Sequence, residues 1–148
     1  MPIIFPVHPR TAKIISESGF KSIINSSNLT YTQFTSFNNN SGNNLFLTQP
    51  LGYLEFNYLV ERSKAVITDS GGITEETTVM GVPCMTLRDN TERPETITLG
   101  TNELVGTDPG ALKTYMDRLL EGKWKKGSIP ALWDGKTADR ILQVLLSL

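Results

Sequence analysis

The stretch Thr68-Asp69-Ser70-Gly71-Gly72-Ile73-Thr74-Glu75-Glu76 follows the apolar run Ala65-Val66-Ile67, so a strand ends in a small, glycine-rich turn that opens onto a helix. This is the local grammar of a phosphate site. Two consecutive glycines let backbone N–H groups approach an anion with no side chain in the way, and the helix that follows points its partly positive N-terminus at it. Ser70 adds a hydroxyl donor. Taken alone, such a junction equally fits a turn that merely redirects the chain. A second polar cluster, Arg88-Asp89-Asn90-Thr91-Glu92-Arg93-Pro94-Glu95, follows the strand-like run Val82-Pro83-Cys84-Met85-Thr86-Leu87.

Working outward, Ile3-Ile4-Phe5-Pro6-Val7 reads as a buried strand, followed by a short helix from Thr11 to Ser18 that stops at Gly19. Leu45-Phe46-Leu47-Thr48 reads as another strand. Leu51, Leu54 and Tyr58 fall at i, i+3, i+7 and predict a helix to about Arg62. The strand over 65–68, a helix over 73–80 closed by Gly81, the strand over 82–87 and a short strand Glu103-Leu104-Val105 come next. Leu112, Tyr115, Met116 and Leu119 form an i, i+3, i+4, i+7 stripe that Ala138, Ile141, Leu142 and Leu145 repeat, which predicts two amphipathic helices at the end. Strands alternating with helices predict an α/β fold whose parallel sheet is covered on both faces. Between Asn25 and Asn44 the chain turns rich in Asn, Ser and Thr and reads as a surface loop or partly disordered excursion. Within it, Asn28-Leu29-Thr30 has the form of a glycosylation acceptor, without a secretory leader to support it.

With 148 residues, 39% hydrophobic and 20% charged, the chain is long enough for one domain with a real core. A formal net charge of -1 gives no electrostatic footprint for nucleic acid or an anionic membrane, so any phosphate affinity is built locally by a few placed groups. Neither a membrane-length apolar run nor an apolar leader is visible, and the expected location is cytoplasmic. The single cysteine, Cys84, lies in a strand-like run and reads as a buried structural thiol.

The run from Asp69 to Asp108 resembles the C-terminal half of the non-hydrolysing UDP-N-acetylglucosamine 2-epimerases. DSGGITEE, MGVPCMTLRDNTERPE and GTNELVGTD stand in that family's order and near its spacing, and RDNTERPE is the most discriminating of them. His8-Pro9-Arg10-Thr11 and Pro50-Leu51-Gly52-Tyr53-Leu54-Glu55-Phe56 extend the resemblance toward the start. It implies a Rossmann-like parallel sheet with helices on both faces, one half of a glycosyltransferase-B-like two-domain fold. On this basis residues 1–148 form a partial C-terminal nucleotide-binding domain, and the 25–44 segment is an insertion within it.

The resemblance also implies roles. Ser70, Gly71 and Gly72 would cradle the diphosphate of a UDP-sugar, and Arg93 would add a positive fork able to bond two oxygens at once. The bland alternative for Arg93 is a surface ion pair with Glu92 or Glu95. Glu75 and Glu76 diverge by roughly 100° on a helix and cannot both face one ligand. The family pattern gives the ribose hydroxyls to Glu76 and leaves Glu75 as a favourable charge in the first helical turn. Phe56 corresponds to a position whose backbone meets the uracil, although an ordinary core aromatic fits as well. His8, the only histidine, is usually a structural residue on composition alone; the resemblance makes it catalytic, near the leaving diphosphate. Arg10 is a weaker candidate for the diphosphate or for a regulatory nucleotide-sugar site.

The implied reaction interconverts UDP-N-acetylglucosamine and UDP-N-acetylmannosamine by anti elimination of UDP to a 2-acetamidoglucal and re-addition with inverted C2. Proton transfer at C2 needs acid and base groups on the sugar. In the family these belong to an N-terminal half, so the chain is expected to be a nucleotide-binding portion that is inactive alone. No cofactor and no metal are expected. The expected partners are a UDP-sugar and either an N-terminal half or a second copy of the chain, since a half-fold leaves sheet edge or apolar helix surface uncovered. The alternatives are the donor-binding half of a two-subunit glycosyltransferase and a non-catalytic remnant; RDNTERPE favours the epimerase lineage.

Overall fold

A computed structural model describes residues 1–18, 24–25 and 45–148 and divides the chain into two compact units, Met1–Phe56 and Asn57–Leu148. The polar segment over 26–44, with its Asn-Leu-Thr triplet, lies outside the described residues. The first unit contains β1 (Ile3–Pro6), α1 (Pro9–Glu17), β2 (Ile24–Asn25) and β3 (Leu45–Thr48), and the chain passes from it into the second within α2 (Tyr53–Glu61). Its three strands form a parallel sheet in the order β1-β3-β2, with Ile3 and Ile24 both opposite Leu45. Helix α1 begins at Pro9 rather than at the expected Thr11. A proline in the first turn forfeits only an N–H that has no helical partner, and its fixed φ already suits the helix.

The second unit contains β4 (Val66–Thr68), α3 (Gly71–Met80), β5 (Cys84–Thr86), α4 (Pro94–Thr98), β6 (Asn102–Leu104), α5 (Pro109–Leu120) and α6 (Thr137–Leu146). Its sheet is again parallel, in the order β4-β5-β6, with Cys84 opposite both Val66 and Asn102. Among the described residues each unit thus holds three parallel strands, in keeping with the expected α/β fold.

Side chains alternate across β5 and set the two faces of its sheet. Met85, with no exposed surface, packs with Val105 and Leu119, and around them lie Leu112, Tyr115 and Met116 of α5 together with Trp124. Full burial of one such side chain is worth about 1.5–3 kcal/mol. On the opposite face Cys84 and Thr86 meet α3, with the Cys84 thiol beside the Thr77 side chain. Helix α3 turns threonines inward because each hydroxyl finds a carbonyl in its own helix: Thr74 bonds Gly71 at 2.6 Å, Thr77 bonds Ile73 at 3.0 Å and Thr78 bonds Thr74 at 2.8 Å. The helix ends at Gly81, whose φ of 71° is the left-handed turn that glycine adopts without cost.

Two differences from the sequence reading have physical causes, and α6 shows a third feature. Strand β6 runs over Asn102–Leu104, one residue earlier than apolarity suggested, because both polar atoms of the Asn102 amide find hydrogen-bond partners and so can be buried. Helix α4 spans only five residues, too few for a periodic signal. The α6 stripe forms its helix, but Ile141, Leu142 and Leu145 stay 53–62% exposed among the described residues. No helix among those residues is long and apolar enough to cross a membrane.

Candidate functional site

The site grows from the junction of β4 and α3. The Thr68 hydroxyl accepts the Ser70 N–H at 3.0 Å and turns the chain out of the strand. Ser70 occupies the N-cap position in extended conformation, yet its side chain makes no capping bond. Its hydroxyl and the first amides of α3 are therefore left for another partner. Gly71 and Gly72 follow, and neither has a positive φ. A Cβ added at either would meet nothing within 4 Å. Neither backbone conformation nor packing calls for glycine there, and each glycine in a helix costs about 0.5–1 kcal/mol relative to alanine. What the pair provides is open space in front of unsatisfied N–H groups.

Arg93 arrives from the loop after β5. Its backbone, at φ -128° and ψ 68°, stays out of the helical region that the following proline disfavours, but is not the fully extended conformation expected before proline. Its N–H donates to the Thr91 hydroxyl at 3.1 Å, and its carbonyl accepts from the Thr96 N–H at 3.0 Å and the Thr96 hydroxyl at 2.8 Å. Thr96 in turn accepts from the Asn102 amide at 3.3 Å. A buried polar chain from the sheet thus fixes the backbone from which the arginine extends. The guanidinium donates through Nε to the Glu75 carboxylate and through Nη1 to the Glu92 carbonyl at 3.3 Å. That bond to Glu75, with its charge, raises the Arg93 pKa further above its ordinary high value, so the group is a permanent cation.

Between these elements lies a cleft of about 130 Å³ whose walls include Gly71, Gly72, Glu75, Arg88, Asn90 and Arg93. Among the residues singled out from the sequence, it brings together Gly71, Gly72 and Arg93. Ser70 sits at the helix cap beside it, and Glu76, half-buried on α3, is not part of the wall. Glu75 corrects the sequence reading: with α3 starting at Gly71 it stands in the second helical turn, and it pairs with Arg93 instead of serving the helix dipole. The arginine's carboxylate partner is accordingly Glu75, not Glu92 or Glu95. Arg88 and Asn90 of the second polar cluster also line the cleft, which their residue types alone do not predict. Their position just past the end of β5, level with the end of β4, was the available signal.

His8, Arg10 and Phe56 belong to the first unit. His8 caps α1, its Nδ1 accepting the Arg10 N–H at 3.3 Å. The neutral imidazole therefore carries its proton on Nε2, which faces away from that bond as a donor. The Phe56 N–H is committed to the Gly52 carbonyl at 2.9 Å and leaves that backbone no spare donor. No group of three or more His, Cys, Asp or Glu among the described residues could hold a metal ion.

This architecture has relatives. The family model of UDP-N-acetylglucosamine 2-epimerase matches residues 1–146. The UDP-N-acetylglucosamine 2-epimerase of Methanocaldococcus jannaschii is 37% identical over 145 residues, covering 97% of this chain and 34% of the relative. That of Escherichia coli K12 is 39% identical over 106 residues, covering 69% of this chain and 28% of the relative. The solved M. jannaschii enzyme in complex with UDP-GlcNAc and UDP superposes with a TM-score of 0.71 at 36% identity, over 99% of this chain and 36% of that one. The chain thus spans about a third of the length of these relatives. By the family match across nearly its whole length, this α/β chain belongs to the UDP-N-acetylglucosamine 2-epimerase family.

Proposed function

We propose that these residues bind the UDP moiety of UDP-N-acetylglucosamine and stabilise the diphosphate as it leaves in a 2-epimerase reaction. The observation that carries this reading is the pair Gly71-Gly72, which no structural need explains, at an uncapped helix N-terminus facing Arg93 across one cleft. Helix amides, the Ser70 hydroxyl and the arginine fork are complementary to a diphosphate and have their charge in place before it arrives. Glu76, whose carboxylate makes no bond with the described residues, accepts the ribose hydroxyls. Arg88 contributes a second cation. The family resemblance gives His8 a role at the leaving oxygen and Arg10 a weaker one at the diphosphate; both belong to the first unit, and these roles rest on the resemblance alone. Phe56 flanks the uracil by its ring or carbonyl, its N–H being occupied.

On this reading the isomerase needs acid and base groups at C2 that lie outside these 148 residues, supplied by an N-terminal half or through association with a second copy. The chemistry belongs to a cytoplasmic nucleotide-sugar pool that feeds cell-surface polysaccharide. Two experiments test the proposal. Arg93→Ala should weaken UDP binding while leaving uridine binding unchanged, since only UDP carries phosphates; equal losses would make the arginine structural. In deuterated water the chain alone should place no deuterium at C2 of UDP-N-acetylglucosamine. Incorporation abolished by a mutation within the chain would put the acid and base inside it.

A further inference from the structure

We infer that Glu75 is a positioning residue of the nucleotide site, orienting Arg93 toward the diphosphate. The inference rests on the UDP reading above and extends it to a residue that touches no ligand in that scheme. Helix α3 carries Gly71 and Glu75 four residues apart, hence on one face, so the carboxylate stands one turn behind the amides of the helix N-terminus. Arg93, eighteen residues further on, has two nearer acidic neighbours whose charges it feels, Glu92 and Glu95. It pairs with neither carboxylate. Its Nε–H goes to Glu75, and Nη1 gives one hydrogen to the Glu92 carbonyl. Nη2 and the second Nη1 hydrogen are left over on a side chain that lines the cleft.

The charge arrangement supports the same role. A carboxylate on the wall of a diphosphate site repels its ligand unless a cation is bound to it, and here one is. Arg93 is about half exposed, with side-chain accessibility of 48%, so without a partner the long side chain would sample many rotamers and lose that freedom on binding. Glu75 orders it beforehand.

Calorimetry with UDP and uridine on the 148-residue chain, together with the NMR signal of the Arg93 Nε–H, tests this. Glu75→Ala should weaken UDP about three- to fivefold, the range of a partly exposed ion pair, and leave uridine unchanged. Glu75→Gln, which still accepts a hydrogen bond, should lose less. In an Arg93→Ala background Glu75→Ala should change nothing further. The Arg93 Nε–H should be protected from exchange in the unmodified chain and unprotected in Glu75→Ala. Tighter UDP binding by Glu75→Ala would overturn the inference by making Glu75 a competitor of the ligand. An undiminished effect in the Arg93→Ala background, or equal losses for UDP and uridine, would overturn it too. If Arg93→Ala weakens UDP and Glu75→Ala does not, the inference alone fails. If the unmodified chain does not bind UDP, the nucleotide reading fails and takes the inference with it.

Discussion

Asn102 Oδ1 accepts the hydroxyl proton of Thr86 at 2.7 Å, with the asparagine wholly buried and the threonine 2% exposed. Thr96 spends its own proton on the Arg93 carbonyl and must accept from Asn102, so the amide can sit only one way round. The chain Thr86–Asn102–Thr96–Arg93 joins the sheet to the arginine of the site. Asn102→Leu should leave the Thr86 and Thr96 hydroxyls short of partners and cost about 2–4 kcal/mol in urea unfolding. Thr86→Val, close in volume, should cost less, about 1–2 kcal/mol. Because the Arg93 backbone hangs on this chain, Asn102→Leu should also weaken UDP at temperatures where the protein remains folded.

The glycines divide into two kinds that mutation should separate. At Gly100 an added Cβ would lie 2.5 Å from the Thr96 carbonyl oxygen and 2.5 Å from the Thr78 hydroxyl oxygen. Gly100→Ala should therefore destabilise by about 1–3 kcal/mol. Gly71→Ala and Gly72→Ala meet no neighbour and should leave stability unchanged, or raise it by up to about 1 kcal/mol. The same two substitutions should sharply reduce UDP binding by putting methyl groups where the phosphate approaches the helix amides. Thermal melts with and without UDP measure both effects.

Burial raises the Cys84 thiol above its ordinary value of 9.0, with bonds to Thr77 and Thr86 opposing in part. As pH climbs past 9.0 the unfolded chain releases this proton while the folded chain keeps it, so the unfolded state gains. Stability from this group is thus fully present below pH 9.0 and is lost as pH rises through the folded value. The slope is at most about 1.4 kcal/mol per pH unit. Denaturant midpoints across the alkaline range should fall more steeply for the unmodified protein than for Cys84→Ala. The native thiol should also resist labelling by thiol reagents until the chain unfolds.

Legibility in the sequence followed the range of the interactions. The stripe Leu112, Tyr115, Met116 and Leu119 announced α5 because helix periodicity is local, and all four residues pack in the core cluster. The turn over 68–72 was readable for the same reason, since strand end, cap and glycines are consecutive. The Arg93–Glu75 pair was not: its partners lie eighteen residues apart, and local spacing pointed to Glu92 or Glu95. Asn102 is not legible in the sequence, because a buried asparagine is intelligible only once Thr86 and Thr96 stand beside it. The exposed face of α6 shows the opposite case, a periodic pattern that fixes a helix without naming what covers it.

Calorimetric titration of the 148-residue chain with UDP, ADP and GDP bears on the nucleotide site without requiring turnover. A helix N-terminus and an arginine alone would hold any nucleoside diphosphate, and the ribose is common to all three, so selectivity must come from groups that meet the base. UDP should bind saturably and more tightly than ADP or GDP, and Arg93→Ala should abolish most of the phosphate-dependent part. No binding of any of the three, or UDP binding that Arg93→Ala leaves intact, would contradict the assignment of the Ser70–Gly72 helix start and Arg93 to the diphosphate, and equal binding of the three would contradict a site built for the UDP of a nucleotide sugar.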